Sequence, residues 1–191
     1  MKRVIIIHGW EGYPEEGWFP WLKESLEKKS YEVAVPLMPH PAEPTIDDWV
    51  GKVAEVVGDP DADTYLVGHS IGCQTALRYV QGLDEGVKIG GVLLVAGFVH
   101  LKPEELEDEE DQRIAKPWLE TPIYWEKCKQ HCDRYTAIFS KDDPCVPVSD
   151  AEIFKQNLGA KTVILDGLQH INGEAGVTEL PEALEFFEKK N

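Results

Sequence analysis

The sequence predicts a doubly wound α/β domain on a mostly parallel sheet of about six strands, occupying residues 1–191 as one unit. Three observations carry that expectation. Six short stretches, Val4–His8, Glu32–Val35, Thr64–Val67, Gly91–Val95, Tyr135–Phe139 and Thr162–Leu165, read as apolar runs rather than alternating ones. Runs of this kind suit strands that helices cover on both faces. Helix-period segments separate most of them, so strand and helix alternate along the chain. A length of 191 residues suits one well-buried core and is short for two.

The elements follow in order. Val4–His8 runs into the loop His8-Gly9-Trp10-Glu11-Gly12, and Trp21–Lys29 is amphipathic. After Glu32–Val35, an apolar stripe of Ile46, Trp49, Val50, Val53 and Val57 stands behind Thr45 and Asp48, the spacing of a capping box. Thr64–Val67 precedes a helix in which Ile71, Thr75 and Tyr79 share a face widened by Leu77 and Val80. Tyr135–Phe139 is followed by Ser149 and Glu152, a second capping box ahead of Ile153, Phe154 and Leu158. A last helix begins near Leu180 with Pro181 in its first turn.

One segment breaks this rhythm. About forty residues between Ala96 and Tyr135 lack simple periodicity, and seven of the eight positions Glu104–Asp111 are acidic. Trp118, Tyr124 and Trp125 follow. Connections this long usually serve a function or stay disordered. The stretch from about 98 to 130 therefore reads as a lid with a solvated acidic face, and the acidic run alone reads equally well as a mobile exposed loop.

Composition narrows the partners. Nineteen basic residues against thirty-five acidic ones give a formal charge of −16, which disfavours nucleic acid and anionic membranes. The opening Met1-Lys2-Arg3 leads into a strand too short for a signal-peptide core, and no apolar stretch approaches membrane-spanning length. Cys73, Cys128, Cys132 and Cys145 show no disulfide framework spacing. A cytoplasmic protein with reduced thiols is the expectation.

The chemistry centres on Gly68-His69-Ser70-Ile71-Gly72, which follows an apolar strand and precedes a helix. Such a turn exposes a serine at a helix N-terminus, where unpaired N–H groups and the helix dipole favour negative charge. A serine hydroxyl needs an adjacent base, and the base needs an orienting acceptor. Of six histidines, His170 follows the last strand, and loops leaving parallel strands gather on the edge where Ser70 also emerges. The acid should leave the preceding strand, where Asp142 and Asp143 both stand. Pro144 biases Asp143 away from helical geometry and favours it, with Asp142 as the alternative. The oxyanion needs two N–H donors: Ile71 supplies one, and Trp10, beside the permissive Gly9, the other. His8 is expected to buttress that loop.

In the order Ser70, Asp143, His170, with a His-Gly loop after the first strand, the chain resembles the α/β-hydrolase superfamily. More narrowly it is similar to the small, retinoblastoma-binding-protein-9-like serine hydrolases. Three stretches carry the likeness: Ile7-His8-Gly9-Trp10 with Gly12 and Trp18–Leu22; Val67–Gly72; and Ser140–Pro144 with Val146-Pro147, Gly167 and His170. The superfamily pattern Asp-x-x-Val-Pro points to Asp143. The resemblance implies ester or amide hydrolysis through an acyl-serine and is weakest at 101–130.

The expected activity is therefore hydrolysis of a small or medium uncharged acyl ester, with no metal or organic cofactor required. An aminopeptidase or amidase on the same residues is the first rival, since an acidic lid suits a free amine. A non-catalytic protein-binding module is the second, and a lyase or haloperoxidase a distant third. Cys128, His131 and Cys132 share a helix face but lack a fourth ligand, so no metal site is expected there. Cys73 reads as core, as do Trp18 to Trp21, whereas Trp10 suits core packing or an acyl pocket equally.

Overall fold

Six strands, β1 (Arg3–Ile7), β2 (Glu32–Ala34), β3 (Thr64–His69), β4 (Gly91–Val95), β5 (Tyr135–Ser140) and β6 (Lys161–Leu165), pair only in parallel, in the order β2-β1-β3-β4-β5-β6. The structure is a computed structural model and describes residues 1–188. Its register explains the continuous apolar runs. Successive strand residues point to opposite faces, so the row Ile5, Leu66, Val92 enters one core and the row Ile6, Val67, Leu93 the other.

The first core packs under α2 (Ile46–Val57), α3 (Ile71–Gln81), α5 (Trp125–His131) and α6 (Asp150–Leu158), with Trp49, Leu77, Cys128 and Phe154 fully buried. The second packs under α1 (Phe19–Glu27) and α7 (Pro181–Glu188), with Trp18, Phe19 and Leu22 at its centre. Burying each such side chain contributes about 1.5–3 kcal/mol. Trp18 and Cys73 are thus core residues, as expected.

Several elements differ from expectation. The outer strands are not covered on both faces: β6 has only exposed and half-buried residues, and Glu32 of β2 is exposed. Each has a strand neighbour on one side only, so solvent reaches it. The first helix begins at Phe19, two residues early, with Pro20 tolerated in its first turn. Thr45 caps α2 by accepting from the Asp48 N–H at 3.3 Å, and its hydroxyl donates to the Asp48 carboxylate at 2.8 Å. Ser149 does not repeat this, because its backbone is already helical and its side chain caps nothing. Its neighbour Asp150, buried, instead accepts from the Val99 and His100 N–H groups at 2.7 and 2.8 Å and faces His100 Nδ1 at 2.8 Å. That contact ties the start of the long segment to α6.

The segment itself is ordered secondary structure. A 3₁₀ turn (Pro103–Leu106) precedes α4 (Glu109–Glu120) and then α5. Asp108 caps α4 at the Glu110 N–H, and Glu109, Glu110 and Asp111 fill its first turn, where carboxylates favour the helix dipole. The acidic run is therefore in part a helix start. Pro117 sits inside α4 and masks its period in the sequence. Its far end is held by Arg78 of α3, 4 % exposed, which donates to Trp118 O at 3.1 Å and Thr121 O at 2.8 Å. Among the described residues no helix is long and apolar enough to cross a membrane.

The strand order positions a site. β2 lies on one side of β1 and β3 to β6 on the other, so the winding reverses between β1 and β3. A crevice opens beyond the C-terminal ends of strands at such a point.

Candidate active site

One residue joins β3 to α3. Ser70 has φ 53° and ψ −122°, a backbone state that L-residues rarely adopt and that costs on the order of 1–3 kcal/mol. The surroundings hold it there: the Ser70 N–H donates to Val95 O at 2.9 Å, and Ser70 O accepts from the Cys73 N–H at 3.0 Å. The flanking glycines have steric reasons. A Cβ on Gly68 would lie 2.6 Å from the Cys73 backbone nitrogen, and one on Gly72 2.4 Å from Ile7 O. Only glycine lets α3 start this close to β1 and β3.

His170 stands after β6, between Gln169 (φ 46°) and Ile171 (φ 51°). A positive φ at a β-branched, fully buried isoleucine is a clear outlier. Trp18 Nε1 secures it by donating to Ile171 O at 2.8 Å. The His170 ring presents Nδ1 to both Asp143 oxygens, at 3.0 and 2.9 Å. Asp143 is 2 % exposed, and its Oδ1 also accepts from the Cys145 and Val146 N–H groups at 2.8 and 3.0 Å.

Asp142 faces elsewhere. Its Oδ1 accepts from the Gly167 and Gln169 N–H groups at 3.0 and 3.2 Å and from the Ser140 hydroxyl at 2.5 Å. The Ser140 hydroxyl hydrogen bond, followed by the backbone donors, holds its carboxyl below the usual range. The two adjacent aspartates thus divide the work: Asp143 holds the His170 ring, and Asp142 shapes the loop that carries it.

Three other histidines are occupied. His8 accepts from the Met38 N–H at Nε2 (2.9 Å), which leaves Nδ1 to donate to Gly9 O (2.8 Å). It buttresses the loop after β1, and burial lowers its pKa. His69, 3 % exposed, donates from Nε2 to His170 O at 2.9 Å. Burial first, then the His170 charge, lowers its pKa to about 3, so it stays neutral. His131 Nδ1 is bonded to Val87 O, while the Cys128 and Cys132 thiols donate to Leu77 O and Arg134 O. That trio is turned to structural partners. Among the described residues Asp143, Cys145 and His170 alone bring three potential metal-ligating atoms within 4.8 Å, and two of the three already bond each other.

Ser70, Ile71, Trp10 and His170 line one cavity of about 250 Å³ at the winding reversal. Trp10 is steadied by its Nε1, which donates to Ala42 O at 3.0 Å, and it both lines the cavity and packs against the first core. Ile71 heads α3, where the first N–H groups have no intrahelical acceptor. Phe98, Leu101, Glu105, Asp111 and Cys145 close it from the segment after β4 and the β5 loop. Glu16, Asn172 and Glu174 also line it. Sequence reasoning passed over these three because none belongs to a motif and each reaches the cavity only through loop packing.

Comparisons with known proteins identify the family and the fold. A family model described as serine hydrolase matches residues 4–189. The chain is 30% identical to YdeN of Bacillus subtilis over 180 residues, covering 94% of this chain and 91% of that protein. It is 27% identical over 162 residues to the serine hydrolase RBBP9 of Rattus norvegicus, covering 83% and 81%. The crystal structure of the B. subtilis ydeN gene product superposes with a TM-score of 0.88 at 28% identity, covering 99% of this chain and 100% of that one. The α/β hydrolase MGS-MChE2, from a metagenome of lagoon sediments, has the same fold (TM-score 0.71, 21% identity, 98% and 88% covered).

Proposed function

The chain belongs to the serine hydrolase family and is an enzyme with hydrolase activity on an α/β-hydrolase fold, and from that premise we propose that it cleaves a carboxylic ester through an acyl-serine at Ser70. The observation that carries this reading is the His170 ring, whose Nδ1 is engaged by a buried carboxylate and whose Nε2 is thereby left for the cavity it shares with Ser70.

The steps follow from these positions. Ser70 Oγ attacks the carbonyl carbon as His170 Nε2 takes its proton. Asp143 fixes the Nδ1–H tautomer and stabilises the imidazolium that forms. The N–H groups of Ile71 and Trp10 receive the oxyanion, aided by the positive end of α3. His170 returns the proton to the leaving alcohol, water attacks the acyl-serine by the same base, and the acid departs. A small ester or amide is the partner this cavity suits, and the net charge of −16 argues against nucleic acid or an anionic membrane surface.

Labelling with a fluorophosphonate probe, read by intact mass, tests the assignment. One adduct on the wild-type protein and none on Ser70→Ala is the expected result. An adduct that persists on Ser70→Ala overturns it, and a folded wild-type protein that takes no adduct favours a non-catalytic binding role.

A further inference from the structure

The cavity beside Ser70 is ringed by carboxylates. Glu11, Glu16, Glu105, Asp111 and Glu174 all line it. They come from three stretches far apart in sequence: the loop after β1, the segment after β4, and the loop after β6. No Lys or Arg lines the cavity, and none of the five carboxylates forms a salt bridge among the described residues. Basic groups close to them are engaged elsewhere. Arg113 reaches Glu43 and Glu110, and the Lys102 ammonium donates to Asp143 O.

A second observation, independent of the carboxylates, points the same way. His69 lines the cavity, is 3 % exposed, and has no partner at Nδ1. Because its Nε2 donates to His170 O, Nδ1 is a bare acceptor. It lies against Gly9, where a Cβ would come within 3.0 Å of it and 3.4 Å of Ser70 Cβ. The unpartnered side-chain atom here is thus an acceptor, and its lone pair favours positive charge over negative charge beside it.

We infer that the substrate carries an organic ammonium group, on its acyl or its alcohol part, held by Glu16, Glu105, Asp111 and Glu174 against the ring of Trp10. This selectivity rests on ester hydrolysis at Ser70 being the reaction of the site. Like charges confined together oppose one another until a cation enters. Glu16 already registers this: its carboxyl is pushed up, mainly by burial and in part by Glu174. The aromatic face of Trp10 adds a cation–π surface, while anionic acyl groups are repelled. The bonds made and broken are those of the acyl-serine hydrolysis.

Two isosteric ester pairs test the inference. The acyl side is read by the p-nitrophenyl esters of 4-(trimethylammonio)butanoate and 5,5-dimethylhexanoate. The alcohol side is read by acetylcholine and 3,3-dimethylbutyl acetate. We expect kcat/KM for the cationic member to exceed its neutral isostere by about tenfold or more in one pair, which identifies the side that bears the charge. That ratio shrinks as ionic strength rises through about 0.15 M and shrinks again in Glu16→Gln and Asp111→Asn. Equal or faster turnover of the neutral members in both pairs overturns the ammonium site and leaves the hydrolase standing. Calorimetric titration of tetramethylammonium chloride into Ser70→Ala protein reads the site without chemistry. Saturable binding that Glu16→Gln/Asp111→Asn weakens supports it even where neither ester turns over, and no binding overturns it.

Discussion

Replacing Asp143 by Asn separates charge from shape at the heart of the site. The carboxamide is nearly isosteric, and its oxygen can still accept from the Cys145 and Val146 N–H groups, now at 2.8 and 3.0 Å. Two things are lost. The amide NH₂ then faces His170 Nδ1, which forces the imidazole proton onto Nε2, the nitrogen that must receive the serine proton. The imidazolium of the transition state also loses its counter-charge. At the observed 2.9 Å and an effective dielectric constant of about 20, that attraction is about 6 kcal/mol. Burial of Asp143 to 2 % exposure leaves little solvent to screen it. At about 1.4 kcal/mol per factor of ten, kcat/KM should fall about 10⁴-fold. A p-nitrophenyl ester assay on Asp143→Asn, with its melting temperature checked against wild type, measures this. Asp142→Asn, whose oxygen can still accept from the loop N–H groups, should lose about tenfold or less. A loss below about a hundredfold for Asp143→Asn, or an equal loss for Asp142→Asn, would refute the division of labour between the two residues.

Two further predictions concern stability. Gly72→Ala drives a Cβ to 2.4 Å from Ile7 O and 2.7 Å from His8 O, both backbone atoms of or next to a central strand. It should cost about 3 kcal/mol and lower Tm by about 6–12 °C. Gly51→Ala, inside α2 with nothing within 4 Å of its Cβ, should raise Tm slightly, and a fall in both variants would discredit the steric argument. His69 supplies a pH dependence. Its pKa is about 3 in the folded protein against 6.5, so below pH 6.5 the unfolded chain binds the proton first. Its contribution is full above that pH and is lost as pH falls toward 3, about 5 kcal/mol in all. Thermal melts from pH 7 to 4 should therefore decline less steeply in His69→Gln than in wild type, since the buried His8 imidazole adds a decline of the same sign. Parallel slopes in the two proteins would remove His69 from the account.

Much of this protein is legible in its sequence because the governing physics is local. A strand declares itself by its apolar run, and the turn at Gly68–Gly72 by glycines at which a Cβ would lie only 2.4–2.6 Å from neighbouring backbone atoms. Parallel strands send their following loops to one edge, so Ser70 and His170 could be expected to meet, and they line one cavity. Where Pro117 and a charged first turn masked the helical period, α4 passed unseen. Other features are decided by packing between distant stretches. That Asp143 rather than Asp142 faces His170 depends on which way two adjacent carboxylates turn once Gly167 and Gln169 have packed against one of them. Trp18 fixes the backbone of Ile171 across 153 positions, Arg78 ties down the far end of α4, and acidic residues from three distant stretches converge on one cavity. Strand, helix and turn follow from what a residue's nearest neighbours allow. The charge, shape and selectivity of the site arise from groups that only the folded chain brings within hydrogen-bonding and Coulomb range.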